Sequence, residues 1–195
     1  MPRKPREFVD GGIYHVFNRG NNRRRLFKSE EDFHCFLKIL KKAQTQYPVK
    51  LFHYCLMNNH YHLLVQNVKK TALPKFMHWL QLAYVRFFKK KYQTTGHLFE
   101  ERFRGPRIAE ESYYLQCGRY IERNPVEAGL VSRAEEYPYS SAPYYGQGIK
   151  NDLITPDPYY VEMGRSDAER QKNYLRFLSL ADPYSAMIQN QLMKY

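Results

Sequence analysis

The chain has 195 residues, 43% of them hydrophobic, enough for one sizeable core and short for two. Its 31 Lys and Arg against 19 Asp and Glu leave a net charge of +12, the footprint of a protein that binds a phosphate backbone. No apolar run approaches the roughly 18–20 residues of a membrane span, Met1–Arg6 is basic with no apolar stretch after it, and Cys35, Cys55 and Cys117 form no CxxC pair. A membrane helix, a secretory leader, a disulfide framework and a structural zinc site are thus all disfavoured, and the expectation is a cytoplasmic protein that joins the nucleoid when bound to DNA.

The first 28 residues are strongly basic, with Arg3, Lys4, Arg6, Arg19, Arg23, Arg24, Arg25 and Lys28 around a strand-like run, Gly12–Phe17. Ser29 followed by Glu30, Glu31 and Asp32 reads as an N-cap and acidic first turn. The helix it opens carries Phe33, Phe36, Leu37, Ile39 and Leu40 and ends before Pro48. Val49–Met57 reads as a second strand, Asn58–Asn59 as a turn and His60–Val65 as a third strand antiparallel to it. A long helix follows over Thr71–Tyr92, with lysines in its last turn, and then a basic hairpin or loop that includes Arg102, Arg104 and Arg107. Tyr113–Arg123 is read as a helix stopped by Asn124–Pro125. Beyond Tyr137 the chain is rich in tyrosine and proline, and only Ser166–Leu180 has a clear helical pattern. This order predicts an α+β fold with a ferredoxin-like antiparallel sheet and helices packed on one face. Residues 1–140 are expected to form the catalytic domain and residues 141–195 an appendage.

Two patterns carry chemistry. In a strand, alternate residues share a face, so His60 and His62 point the same way and can hold one divalent metal, although such a pair also occurs as packed or surface residues. On the later helix, positions four apart share a face, which pairs Tyr120, a possible nucleophile, with Asn124, and puts Gln116 one turn earlier on that side. Asn124 offers an amide oxygen that could complete a site for Mg²⁺ or Mn²⁺, ions that also take waters and phosphate oxygens. Read alone, the pair favours the plainer account, with Tyr120 a core residue and Asn124 only a helix C-terminal residue ahead of Pro125. Aromatics interleaved with basic residues, as in Arg86–Tyr92 and Arg102–Arg104, suit stacking on unpaired bases.

Together these stretches resemble the Y1 tyrosine transposases of the HUH superfamily, and within them the REP-associated tyrosine transposases related to the IS200/IS605-like transposases. His60-Tyr61-His62 matches the histidine pair around a hydrophobic position, here aromatic, and Tyr120–Val131 matches the nucleophile helix and the turn after it. Gly12–Gly20 and Gly96–Phe103 add support in the same order, and the likeness covers roughly residues 7–140.

The resemblance implies an enzyme that nicks and joins single-stranded DNA at REP-like hairpins. His60 and His62 would bind Mg²⁺ or Mn²⁺, Tyr120 would attack the scissile phosphate to leave a 5′-phosphotyrosine, and a second strand's 3′-hydroxyl would reverse the step. The family's third metal ligand is a glutamine in the insertion-sequence branch and falls here on Asn124, with Gln116 as the fallback. Arg3, Lys4, Arg6, Arg19, Arg23, Arg24, Arg25, Arg102, Arg104 and Arg107 are the candidates for DNA contacts. Both a monomer and a homodimer that exchanges its tyrosine helix are compatible with the chain.

Other readings weigh less. A relaxase or replication initiator would carry extra tyrosines, a third histidine or further domains. A metal-dependent hydrolase would need acidic ligands near the histidines, and Met57–Asn67 has none. A regulator that binds hairpins without catalysis would not need His60, His62 and Tyr120 all present.

Overall fold

The computed structural model describes residues 7–180 and Ile188. Four strands, β1 (Ile13–Arg19), β2 (Val49–Met57), β3 (His60–Asn67) and β4 (Arg107–Ile108), form one sheet in the order β2-β3-β1-β4 with every neighbouring pair antiparallel. Helix α1 (Glu30–Gln46) lies between β1 and β2 in the chain and α2 (Ala72–Tyr92) between β3 and β4. This βαββαβ order is the ferredoxin-like arrangement.

Strand alternation sends Tyr14 and Val16, Tyr61, Leu63 and Val65, and Tyr54 and Leu56 to one face, where they are buried with Phe33, Phe36 and Leu40 of α1 and Phe76, Leu80 and Tyr84 of α2. Helix α1 starts where expected. The Asp32 carboxylate accepts from the backbone N–H of Lys28 at 2.7 Å and of Ser29 at 3.0 Å, so the helix entrance is tied down by its own first turn.

The second face is covered too, which refines the expectation of helices on one face: that holds for α1 and α2, while α3 (Glu111–Glu127) packs on the opposite side. The sheet is apolar on both faces, and Phe52, Cys55, Met57, Leu64 and Ile108 pack there with Tyr114, Cys117, Tyr120 and Ile121. The β2–β3 register shifts between Leu51 and His53. Such a bulge turns two successive residues toward one side, and Phe52 and His53 accordingly both reach α3.

Helix α3 does not stop at Asn124–Pro125 but runs on through Pro125 to Glu127. Proline removes one N–H from the ladder. The Asn124 side chain supplies donors of its own, with Nδ2 2.7 Å from the Tyr120 carbonyl and 3.4 Å from that of Ile121.

Residues 139–141 close the outer edge of β2. Leu56 N–H donates to the Tyr139 carbonyl and Ser141 N–H to the Tyr54 carbonyl, both at 2.9 Å, so no strand edge is left bare there. The segment after it, sparse in pattern, holds α4 (Ala142–Gln147), α5 (Pro158–Glu162) and α6 (Asp167–Ser179). Their Tyr145, Tyr160, Tyr174 and Leu178 join the core cluster of the α1/α2 face. Among the described residues no helix is long and apolar enough to cross a membrane.

Candidate active site

Beside α3, a cavity of about 600 Å³ opens, lined by Phe17, Asn18 and Arg19 of β1, Arg23, the hairpin residues Asn59, His60 and His62, Glu100, Glu101, Arg102 and Arg104, and Tyr120. The register explains the convergence: Phe17 stands opposite His62 and Arg19 opposite His60, so β1 and β3 present these side chains on the face that α3 covers. The Tyr120 ring lies edge-on to His62, 5.7 Å between centroids, and the rings of His60 and His62 are 5.1 Å apart.

The hydrogen bonds set which imidazole nitrogens are available. His60 Nδ1 donates to Asn59 Oδ1 at 2.7 Å, since an amide oxygen can only accept, and the lone pair of His60 therefore sits on Nε2. His62 Nδ1 lies 2.9 Å from Nε2 of His15, two residues along β1 from Phe17, which stands opposite His62. Burial holds His60 down at about 4 and His62 well below the ordinary histidine value, the latter with added repulsion from His15 and His60, so both rings are neutral at neutral pH.

Asn124 side-chain bonding reaches His60. Because its Nδ2 is engaged by the Tyr120 carbonyl, its oxygen is the atom left for His60 or a cation. Neither Asn124 nor Gln116 is among the cavity's lining residues, and Gln116 Oε1 is buried without a partner among the described residues.

These donors suit a divalent metal. Each neutral imidazole has one nitrogen lone pair to offer and the amide oxygen accepts only, with open space beside the histidines for water or phosphate oxygens. Among the described residues no group of three or more His, Cys, Asp and Glu is disposed to hold a metal by itself.

Of the arginines expected to meet DNA, Arg19, Arg23, Arg102 and Arg104 line the cavity. Arg24, Arg25 and Arg107 are exposed away from it, and Arg3, Lys4 and Arg6 lie outside the described residues. Arg23 and its neighbour Asn22 take left-handed backbone angles, φ 57° and 53°, a conformation that costs a non-glycine residue free energy and aims Arg23 into the cavity. Gly20 just before them is obligatory, since a Cβ there would stand 2.0 Å from the Arg24 carbonyl.

Three residues escaped the sequence reading. His15 sits fully buried behind His62. Glu100 and Glu101 bring carboxylates to the cavity from a loop far from the histidines in sequence, with Glu100 ion-paired to Arg19. The only signal for His15 was the alternation of β1, which puts it on the same face as Phe17 and Arg19.

Comparison with known proteins places the chain in a family. A protein of Haemophilus influenzae named as a REP-associated tyrosine transposase is 26% identical over 168 residues, covering 80% of this chain and 93% of its own length. A solved structure of a REP-associated tyrosine transposase bound to a REP hairpin superposes with a TM-score of 0.64 at 16% identity, covering 80% of this chain and 93% of that one, which shows a shared fold. The model of the IS200-like transposases matches residues 8–124, a span that takes in β1, the His60/His62 hairpin and α3 as far as Asn124. With more than half of its length matched, the chain belongs to the IS200-like (Y1) transposase family.

Proposed function

We propose that this transposase is a metal-dependent single-stranded DNA endonuclease and strand transferase that acts at hairpin, REP-like sequences through a 5′-phosphotyrosine. The observation that carries the reading is the placement of Tyr120 against His62 and His60 at the wall of one cavity rimmed by Arg19, Arg23, Arg102 and Arg104. The relative solved with a REP hairpin bound supports hairpin DNA as the partner.

His60 and His62, through Nε2, and Asn124, through its amide oxygen, are the residues that would hold Mg²⁺ or Mn²⁺. When bound, the ion supplies charge stabilisation at the scissile phosphate's non-bridging oxygens. The arginines neutralise and position the backbone, and Phe17 offers a ring beside them on which a base can stack. Tyr120 Oη attacks phosphorus. The Oη–P bond forms as the P–O3′ bond breaks, the phenol proton passes to solvent, and the departing 3′-oxygen takes one up. The linkage is exchanged rather than hydrolysed, so a 3′-hydroxyl of another strand can attack the phosphotyrosine and release Tyr120. The buried helix holds the phenol in place for both directions, which replaces part of the entropy cost of each encounter.

The test is to incubate the protein and a Tyr120→Phe variant with end-labelled single-stranded hairpin DNA and Mn²⁺ or Mg²⁺, then run denaturing protein gels. A covalent label on the native chain that is absent from Tyr120→Phe and from chelator-treated samples is expected. Hairpin binding with no adduct across both metals would turn the reading toward a non-catalytic hairpin-binding regulator.

A further inference from the structure

His15 is buried completely on β1, between Phe17 and Tyr120, with ring centroids 5.4 Å from Phe17, 5.0 Å from His62 and 6.1 Å from Tyr120. An apolar side chain would fill such a position at lower cost, because a buried imidazole must be desolvated and hydrogen-bonded. Only one of its nitrogens is bonded: Nε2 faces His62 Nδ1 at 2.9 Å, and Nδ1 is buried without a partner among the described residues. An unmet buried polar atom costs about 1–3 kcal/mol.

His15 is fully buried and is not among the cavity's lining residues. It is therefore not a third ligand. What it touches is Nδ1 of His62, a residue that does line the cavity. A neutral imidazole carries one proton, and the ring can offer Nε2 as a donor of electrons only when that proton is on Nδ1. For His60 the Asn59 amide oxygen imposes this form. For His62 the group in the equivalent place is His15.

We propose that His15 is a positioning residue whose Nε2 accepts a hydrogen bond from His62 Nδ1–H and thereby locks His62 in the tautomer that presents its Nε2 lone pair to a divalent metal. This rests on the metal-dependent reading of the same site. The alternative proton placement, His15 Nε2–H donating to His62 Nδ1, puts a proton on His62 Nε2 and blocks ligation. The two strands thus divide the work: β3 carries both ligands, the hairpin turn orients the first through Asn59, and β1 orients the second through His15.

Two readouts that need no DNA cleavage test it. The free-ion electron paramagnetic resonance signal measures Mn²⁺ affinity, and long-range ¹⁵N–¹H correlation spectra of the metal-free protein report each imidazole's tautomer. The proposal expects His62 of the native protein to be protonated on Nδ1. His15→Phe, which keeps a ring and removes the acceptor, is expected to weaken Mn²⁺ binding about 10–100-fold, the usual cost of losing a partner behind a ligand. His15→Gln, whose amide oxygen can accept, recovers most of that affinity, a recovery that a purely space-filling role would not give. Native-like Mn²⁺ affinity in folded His15→Phe overturns the proposal, and so does a proton on His62 Nε2 in the native protein. That second measurement decides the matter alone if His15→Phe does not fold. Native protein that binds Mn²⁺ no better than His62→Ala refutes the metal reading itself, a different result from binding that ignores His15.

Discussion

His53 on β2 donates from Nδ1 to Glu122 Oε1 on α3 at 2.8 Å, two residues from Tyr120 in the same helix, and from Nε2 to Asp157 Oδ2 at 2.7 Å. Both partners are carboxylates, so both ring nitrogens carry protons and the imidazole is a buried cation. Glu122 also accepts from Tyr174 of α6 at 2.7 Å and from Ser141 at 2.5 Å. One buried ion cluster therefore joins the sheet, the tyrosine helix and the C-terminal helices. Burial opposes the charge on His53, and the hydrogen bonds and charges of Asp157 and Glu122 overcome it, raising its pKa from 6.5 to about 9.

A raised histidine pKa stabilises the fold fully below the unfolded value, near 6.5, and the contribution is lost as pH rises through about 9. The native protein is therefore expected to lose thermal stability between pH 7 and pH 10 by several degrees beyond the loss in His53→Ala, at about 2–4 °C per kcal/mol for a chain of this size. Melting curves of both proteins at a series of pH values check this. A constant gap between the two across that range would contradict a charged His53.

Gly118 lets α3 approach β2, since a Cβ there would stand 3.0 Å from the His53 ring, which its two carboxylate bonds prevent from moving aside. Gly118→Ala gains about 1 kcal/mol of helix propensity and loses about 1–3 kcal/mol to overpacking. The expected net effect is destabilisation by about 1 kcal/mol, read from urea unfolding, together with weaker adduct formation because Tyr120 lies one half-turn further along the same helix.

Asn124 has two duties that one substitution separates. Asn124→Asp places a carboxylate where the amide oxygen faces His60, so Mn²⁺ binding should tighten. The same change removes the Nδ2 donor to the Tyr120 and Ile121 carbonyls and sets negative charge against them, costing about 1–3 kcal/mol of stability. Calorimetric titration with Mn²⁺ and chemical denaturation of the one variant should move in opposite directions.

Arginine contacts in the cavity should appear in the salt dependence of hairpin binding. Arg104→Ala is expected to lower the slope of log K against log salt by about 0.7, the single-strand value for one phosphate contact. Glu100 is ion-paired to Arg19 in the cavity wall, so Glu100→Gln frees Arg19 and removes a repulsive charge. It is expected to tighten binding several-fold at low salt, with the gain fading as salt screens it. Fluorescence anisotropy over a salt series measures both.

Much of this fold was written in local pattern. The alternation of β1, the Asn58–Asn59 turn, the acidic start of α1 and the i, i+4 relation of Tyr120 and Asn124 depend on neighbours within a few residues, and chain order alone placed His60 and His62 on one face. The stop expected at Asn124–Pro125 failed for a local reason that composition does not reveal: a side chain took over the hydrogen bonding that proline had given up. Tertiary structure alone decided the rest. The bulge at Leu51–His53 turned His53 toward α3, pairing of β1 with β3 set His15 behind His62, and loop closure brought Glu100 and Glu101 to the histidines. Residues 15 and 62, or 53, 122 and 157, meet only because a sheet and a helix pack across dozens of residues of chain, and no local period records a contact of that range.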